Sequence, residues 1–146
     1  MTVDVEVNTV IDRPRSVVAS YCCDPDNATA WYANIKAVQW ETAKPLTLGS
    51  RFTFTSGFLG RTLTYTYEVV ELVPEQRFVM RATQGPFPME TTYSWEDASD
   101  GSTLMTLRNR GEPTAFAALA TPIVATAIRR ATTKDLARLK SILESG

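Results

Sequence analysis

The chain contains no histidine, and that absence excludes more chemistry than any motif supplies. No Ser-His-Asp or Cys-His relay can activate a nucleophile. No imidazole is present to build a zinc or non-haem iron site. A general base would have to be Asp, Glu, Tyr or Lys with a displaced pKa. Metal catalysis would need a carboxylate cluster, and none stands out at ligand spacing, so neither metal nor cofactor is expected. Cysteine is almost as scarce. Cys22 and Cys23 are the only two and they are adjacent, so a bond between them would distort the peptide and staple nothing. They read as reduced, partly buried thiols of a cytoplasmic protein, with no cation or base nearby in sequence to make either reactive.

Neither sign of charge dominates. Fifteen basic residues against sixteen acidic leave a formal charge of −1, without the concentrated basic surface that phosphate recognition requires, so no nucleic-acid partner is expected. No apolar run approaches the ~20 residues that span a bilayer, so no membrane insertion is expected. The opening MTVDVEVNTV has neither the basic start nor the continuous apolar stretch of a secretory leader. GxGxxG, Walker and GxSxG patterns are all absent. At 146 residues, the chain reads as one domain over 1–146, long enough to bury a core without disulfide or metal support.

What is present is a layout. Val3, Val5 and Val7 alternate with Asp4, Glu6 and Asn8, as in a strand with one wet face. Asp12-Arg13-Pro14 starts a short helix to about Cys22, and Asp24-Pro25-Asp26-Asn27 starts a second one carrying Trp31 and Tyr32. A strand over Ile35 to Glu41 follows. Its inward face is ambiguous, because Val38 and Trp40 compete with Ile35 and Ala37.

Alternating strands then continue to Arg110. Turns fall at Pro45 to Gly49, Gly57 to Gly60, Val73-Pro74-Glu75-Gln76, Gly85-Pro86-Phe87-Pro88 and Asp100-Gly101. Connections this short favour sequential antiparallel pairing. The chain ends in an Ala- and Leu-rich helix, predicted from Pro113 to Glu144 with a kink near 118–122, where Pro122 interrupts the backbone ladder. Phe116, Leu119, Ala120, Ile123 and Ala127 share one face; Ile128, Ala131, Leu136, Leu139, Ile142 and Leu143 form a displaced second stripe. Arg129, Arg130, Lys134, Arg138 and Lys140 form a solvated face. The class is α+β: a bent antiparallel sheet of six to seven strands closed over one long helix, with two short helices after the first strand. Space between the two layers is where a small apolar molecule can sit.

The order β-α-α-β6-α, the early WYANI segment, YEVVELVPEQRFVMRATQGPFPMETTYSWED and the closing TLMTLRNRGEP resemble the START/polyketide-cyclase-type (SRPBCC) helix-grip proteins. The resemblance runs from about Val3 to Leu143. It implies the START/Bet v 1-like helix-grip fold and a ligand cavity. It does not choose among lipid carriers, plant hormone and pollen-allergen-type proteins, aromatase/cyclases, chaperone cofactors and ring-hydroxylase subunits.

Strand parity sketches the cavity wall. The inward set comprises Phe52, Phe54, Leu63, Tyr65, Tyr67, Met80, Met89, Tyr93, Trp95, Met105, Leu107 and Asn109. From it, Phe54, Tyr65, Tyr67, Met80, Met89, Tyr93, Trp95 and Asn109, together with Phe116 of the helix, are the candidate ligand-binding residues. Aromatic walls with a few polar handles give a pocket both burial and orientation. The alternative for each side chain is plain core packing, and for the phenylalanines and Leu63 that is the stronger reading. Phe58 and Leu59, at a loop tip, are candidates for a gate.

Three functions follow. The first is binding of a small hydrophobic or aromatic molecule, lipid or polyketide-like, without chemistry. The second is a polyketide cyclase/aromatase-type enzyme in which pocket shape folds the substrate and a tyrosine acts as acid or hydrogen-bond donor. The third is an interaction module, a homodimer for example, using the convex sheet; its threonines and charges read as solvated and weaken it. The predicted inward face carries no carboxylate or histidine, which weakens the second. Binding ranks first.

Overall fold

The computed structural model describes residues 3–58, 60–85, 88–111 and 121–145, with residues 58 and 121 as backbone only. The elements are β1 (Val3–Ile11), α1 (Arg15–Cys22), α2 (Ala28–Trp31), β2 (Ile35–Trp40), β3 (Arg51–Phe58), β4 (Arg61–Val73), β5 (Arg77–Gln84), β6 (Met89–Asp97), β7 (Thr103–Gly111) and α3 (Thr121–Ser145). The seven strands form one antiparallel sheet in the order β1-β7-β6-β5-β4-β3-β2. Every strand after β2 pairs with its predecessor, as the short turns require; β1 closes onto β7.

The tight turns are where backbone geometry is most demanding. Asp100 and Gly101 both take positive φ, 57° and 78°, between β6 and β7. That is the conformation that makes Asp-Gly a hairpin signal. Pro14 sits at the cap position of α1 and leaves the helix no donor to lose there. The Asp24 carboxylate accepts the Asp26 N–H at 3.0 Å and opens a 3-10 turn that leads into α2.

Bulges bend the sheet. Register shifts leave Thr83 of β5, Val70 of β4 and Lys36 of β2 as extra residues. An unpaired residue curves its strand and strengthens the local twist. The bulge in β2 also settles which side chains face inward. With Lys36 as the extra residue, Ile35 and Val38 can both reach the core, and Trp40 packs on Phe52 at 6.1 Å between rings. Strict alternation could not resolve this strand because the strand does not alternate.

The inner face holds Phe52, Phe54, Leu63, Tyr65, Tyr67, Phe78, Met80, Tyr93, Trp95, Met105 and Leu107, all buried. The convex face is less wet than alternation implies. Thr66, Val79 and Thr92 are buried there, and the hydroxyls of Thr53 and Thr66 pair at 2.9 Å. Arg81 and Glu90 pair across β5 and β6 at 2.9 Å, an exposed bridge of small worth. Large apolar side chains exposed among the described residues are scattered: Val10, Leu48, Val73 and Ile123.

Helix α3 covers the sheet and runs against β1. Val124 and Ile128 pack on Val3 and Val5, while Leu136, Leu139 and Leu143 join the main core. The second predicted stripe is therefore the buried one. The first is corrected where it can be followed: Ile123 is 66% exposed and Val124, one position on, is buried instead. The stripe continues back from Ile128 by a step of four, which reaches 124 and not 123. Pro122 is the second residue of α3 as described. The predicted start at Pro113, the kink before Pro122, and Phe116, Leu119 and Ala120 lie outside the described residues, as do the Phe58 and Leu59 side chains and Pro86-Phe87. The basic face of α3 does more than meet solvent. Arg129, Arg138 and Lys140 donate to the carbonyls of Glu6, Ala30 and Val10 at 3.2, 2.5 and 2.7 Å, pinning the helix to β1 and α2.

Candidate functional site

A cavity of about 130 Å³ lies between the sheet and α3. Its floor comes from β3 and β4, where cross-strand pairing sets Phe54 opposite Tyr65 and Phe52 opposite Tyr67. The Tyr65 and Tyr67 rings stack at 5.9 Å, and Phe54 meets Tyr67 at 5.7 Å. Leu63, Ser56 and Gly57 extend this wall, Met89 and Asn109 close the side towards β6 and β7, and Tyr32, Asn34 and Ile35 close the other. Helix α3 supplies the roof: Ile128, Ala131, Thr132 and Asp135. These four fall at steps of three, four and seven along one helical face.

Five of the nine predicted residues line this cavity: Phe54, Tyr65, Tyr67, Met89 and Asn109. Met80, Tyr93 and Trp95 do not. They are buried in the main core cluster with Leu136, Leu139 and Leu143. Parity identified the inner face correctly for all three, but it carries no information about which stretch of that face the helix covers tightly. Phe116 lies outside the described residues. Trp31 is buried and packs against Tyr32 and Tyr93 with tilted rings, centroids 4.0 and 5.7 Å apart, and the Trp40 indole donates to Asp26 at 2.9 Å. Both indoles seal the small helices to the sheet, as expected.

Tyr93 still reaches the site indirectly, through a 2.6 Å hydrogen bond between its hydroxyl and that of Tyr32. The Thr91 hydroxyl donates to the Asn109 side-chain oxygen at 2.7 Å and also lies beside the Tyr67 phenol. All the phenols are held neutral. Burial pushes Tyr65 up to about 12 and also raises Tyr67, Tyr32 and Tyr93 strongly. They act as hydrogen-bonding groups, with no tendency to ionise near neutrality. The thiols are inert for the same reason: burial raises Cys22 strongly and Cys23 to about 12.

The residue that sequence reasoning missed is Asp135. It corrects the expectation that no carboxylate faces inward. Asp135 is 4% exposed and lines the cavity. Its Oδ1 accepts the Ala33 N–H at 3.0 Å. Burial raises its pKa to about 6, against the lowering effects of that N–H and of Arg138. The signal was available: Asp135 follows Ile128 by seven residues and Ala131 by four, hence shares their face. Tyr32, Asn34 and Thr132 were missed as well, the first two because they lie where chain direction changes and no periodicity applies.

Outside the cavity, and sharing Asn34, Gly57 and Ala131 with it, is a groove of about 440 Å³ also lined by Lys36, Gly60, Arg61, Thr62 and Ala127. It lies between α3 and the β3–β4 hairpin. Among the described residues no group of His, Cys, Asp or Glu side chains is arranged to hold a metal ion, and no helix is long and apolar enough to cross a membrane.

An aromatic cavity between a curved sheet and a long helix accords with the family described as polyketide cyclase / dehydrase and lipid transport, whose sequence pattern matches residues 2–144. The chain belongs to this family. No functionally curated protein matches it by sequence. Solved structures share its fold. A Thermus thermophilus protein superposes with a TM-score of 0.85 at 16% identity, over 97% of both chains. The Zhui aromatase/cyclase from a Streptomyces species gives 0.82 at 13%, over 99% of this chain and 94% of its own. A START superfamily protein from Mycobacterium smegmatis gives 0.79 at 17%, over 97% of both. At these identities the likeness is one of fold. The cyclase/lipid-transport family frame is secure; the residues inside it are this chain's own.

Proposed function

We propose that the domain binds a small hydrophobic or aromatic molecule between the sheet and α3. The observation that carries this reading is the cavity itself: about 130 Å³, walled by Phe54, Tyr65, Tyr67, Leu63 and Met89. An apolar cavity of ~150 Å³ accepts benzene, so the inner chamber suits one aromatic ring. The adjoining groove lined by Lys36 and Arg61 suits the remainder of a longer lipid or polyketide-like molecule. The family description, which names lipid transport beside cyclisation and dehydration, supports the same class of ligand.

A second reading is favoured by one feature. Asp135 gives the cavity an ionisable carboxyl whose pKa of about 6 suits proton transfer near neutrality, alongside neutral phenols that can donate. Cyclase/aromatase-type catalysis by pocket shape, with a hydrogen-bonding tyrosine, therefore stays as the alternative. The test of binding is native mass spectrometry of the purified protein against its denatured mass. A stoichiometric small-molecule adduct lost on denaturation is expected. A clean mass that stays unchanged after incubation with aromatic and acyl ligands would overturn binding as the primary role.

A further inference from the structure

Within the cavity, charge is one-sided. Among the described residues that line it, Asp135 is the single charged one, with no Lys or Arg. The carboxylate is also half-satisfied. Ala33 N–H takes Oδ1, and no hydrogen bond among the described residues reaches Oδ2, in a residue that is 4% exposed. A carboxylate oxygen with little access to water and no protein donor gains from a ligand that donates to it, and Asp135 lines the cavity. We propose that the cavity selects ring ligands bearing a hydrogen-bond donor, an ammonium or hydroxyl group, which bonds Asp135, and rejects ligands that carry a carboxylate on the ring. This deepens the binding reading above and rests on it.

The geometry supplies both halves of such a site. Tyr65 and Tyr67 present stacked ring faces, which attract a flat apolar body and, through their π-electrons, a nearby cation. Ala33 fixes the orientation of the carboxyl, so the free oxygen needs no reorganisation to accept. A ring carboxylate in the same position would place two like charges side by side.

The experiment uses four probes of one ring size: toluene, benzyl alcohol, benzylamine and benzoate, titrated into the full chain and followed by NMR. A hydrogen bond to a charged acceptor implies that benzyl alcohol and benzylamine bind about tenfold or more tightly than toluene, with benzoate weakest. In Asp135→Asn the donor advantage should shrink to about threefold or less, and benzoate should gain. In the wild-type chain, the Asp135 carboxyl carbon should shift with benzylamine and not with toluene, a readout independent of how well the variant folds. Toluene binding without a donor preference, benzoate binding as well as benzyl alcohol, or an unchanged preference in Asp135→Asn would each overturn this proposal and leave the cavity reading intact. Failure of all four probes to bind would overturn both.

Discussion

Replacing Asp135 by Asn should make the unliganded protein more stable at neutral pH and leave it unchanged in acid. The folded-state pKa is raised from 3.8 to about 6, so the native chain holds this proton more tightly than the unfolded chain does. Stability from this group is therefore fully present below about pH 4, lost as pH rises from about 4 to 6, and constant above. A shift of about two units corresponds to about 3 kcal/mol as an upper bound. Asn has nearly the same shape and can still accept the Ala33 N–H, but it never ionises. Urea unfolding should thus show Asp135→Asn more stable than wild type by about 1–3 kcal/mol near pH 7.5, and by about zero near pH 4. An equal effect at the two pH values, or a destabilised variant near neutrality, would refute the account of Asp135 as a poorly solvated carboxylate. The cost that wild type retains at this position is what a site built for a ligand donor would show.

Two further outcomes follow from the cavity wall. A Cβ added at Gly85 would lie 2.5 Å from Cδ1 of Tyr65, so Gly85→Ala must displace that ring; the expected result is a loss of about 1–3 kcal/mol and weaker ring-ligand binding, read by unfolding and by the Tyr65 ring resonances. Tyr93→Phe strands the Tyr32 hydroxyl and should cost about 1–2 kcal/mol, whereas Tyr32→Phe with Tyr93→Phe should cost less than the two single changes summed, as a double-mutant cycle would measure.

How much of this was legible in the sequence depended on periodicity. Alternation over much of β3, β4, β6 and β7 let parity place Phe54, Tyr65, Tyr67 and Trp95 on the inner face, although β4 carries a bulge past Val69. β2 was ambiguous because a bulge breaks its period. Parity is also a one-dimensional signal: it cannot tell a side chain packed into the main core, such as Trp95 or Met80, from one beside a gap, such as Met89. Asp135 was missed for a different reason. A charged residue next to Leu136 reads as part of a wet face, although its helical phase matches Ile128 and Ala131. Polar residues on an apolar helix face are the positions to examine first in such a fold.

The central claim is that the chamber between the sheet and α3 accepts a ring. Benzyl alcohol titration, monitored at the methyl groups of Ile35, Leu63, Met89 and Ile128, tests it directly, with Ala131→Phe as a variant whose side chain fills the chamber. Saturable shifts are expected at the methyl groups of those four residues in the wild-type chain, and their loss in Ala131→Phe. Shifts that stay absent at saturating ligand, or that persist unchanged when the chamber is filled, would contradict it.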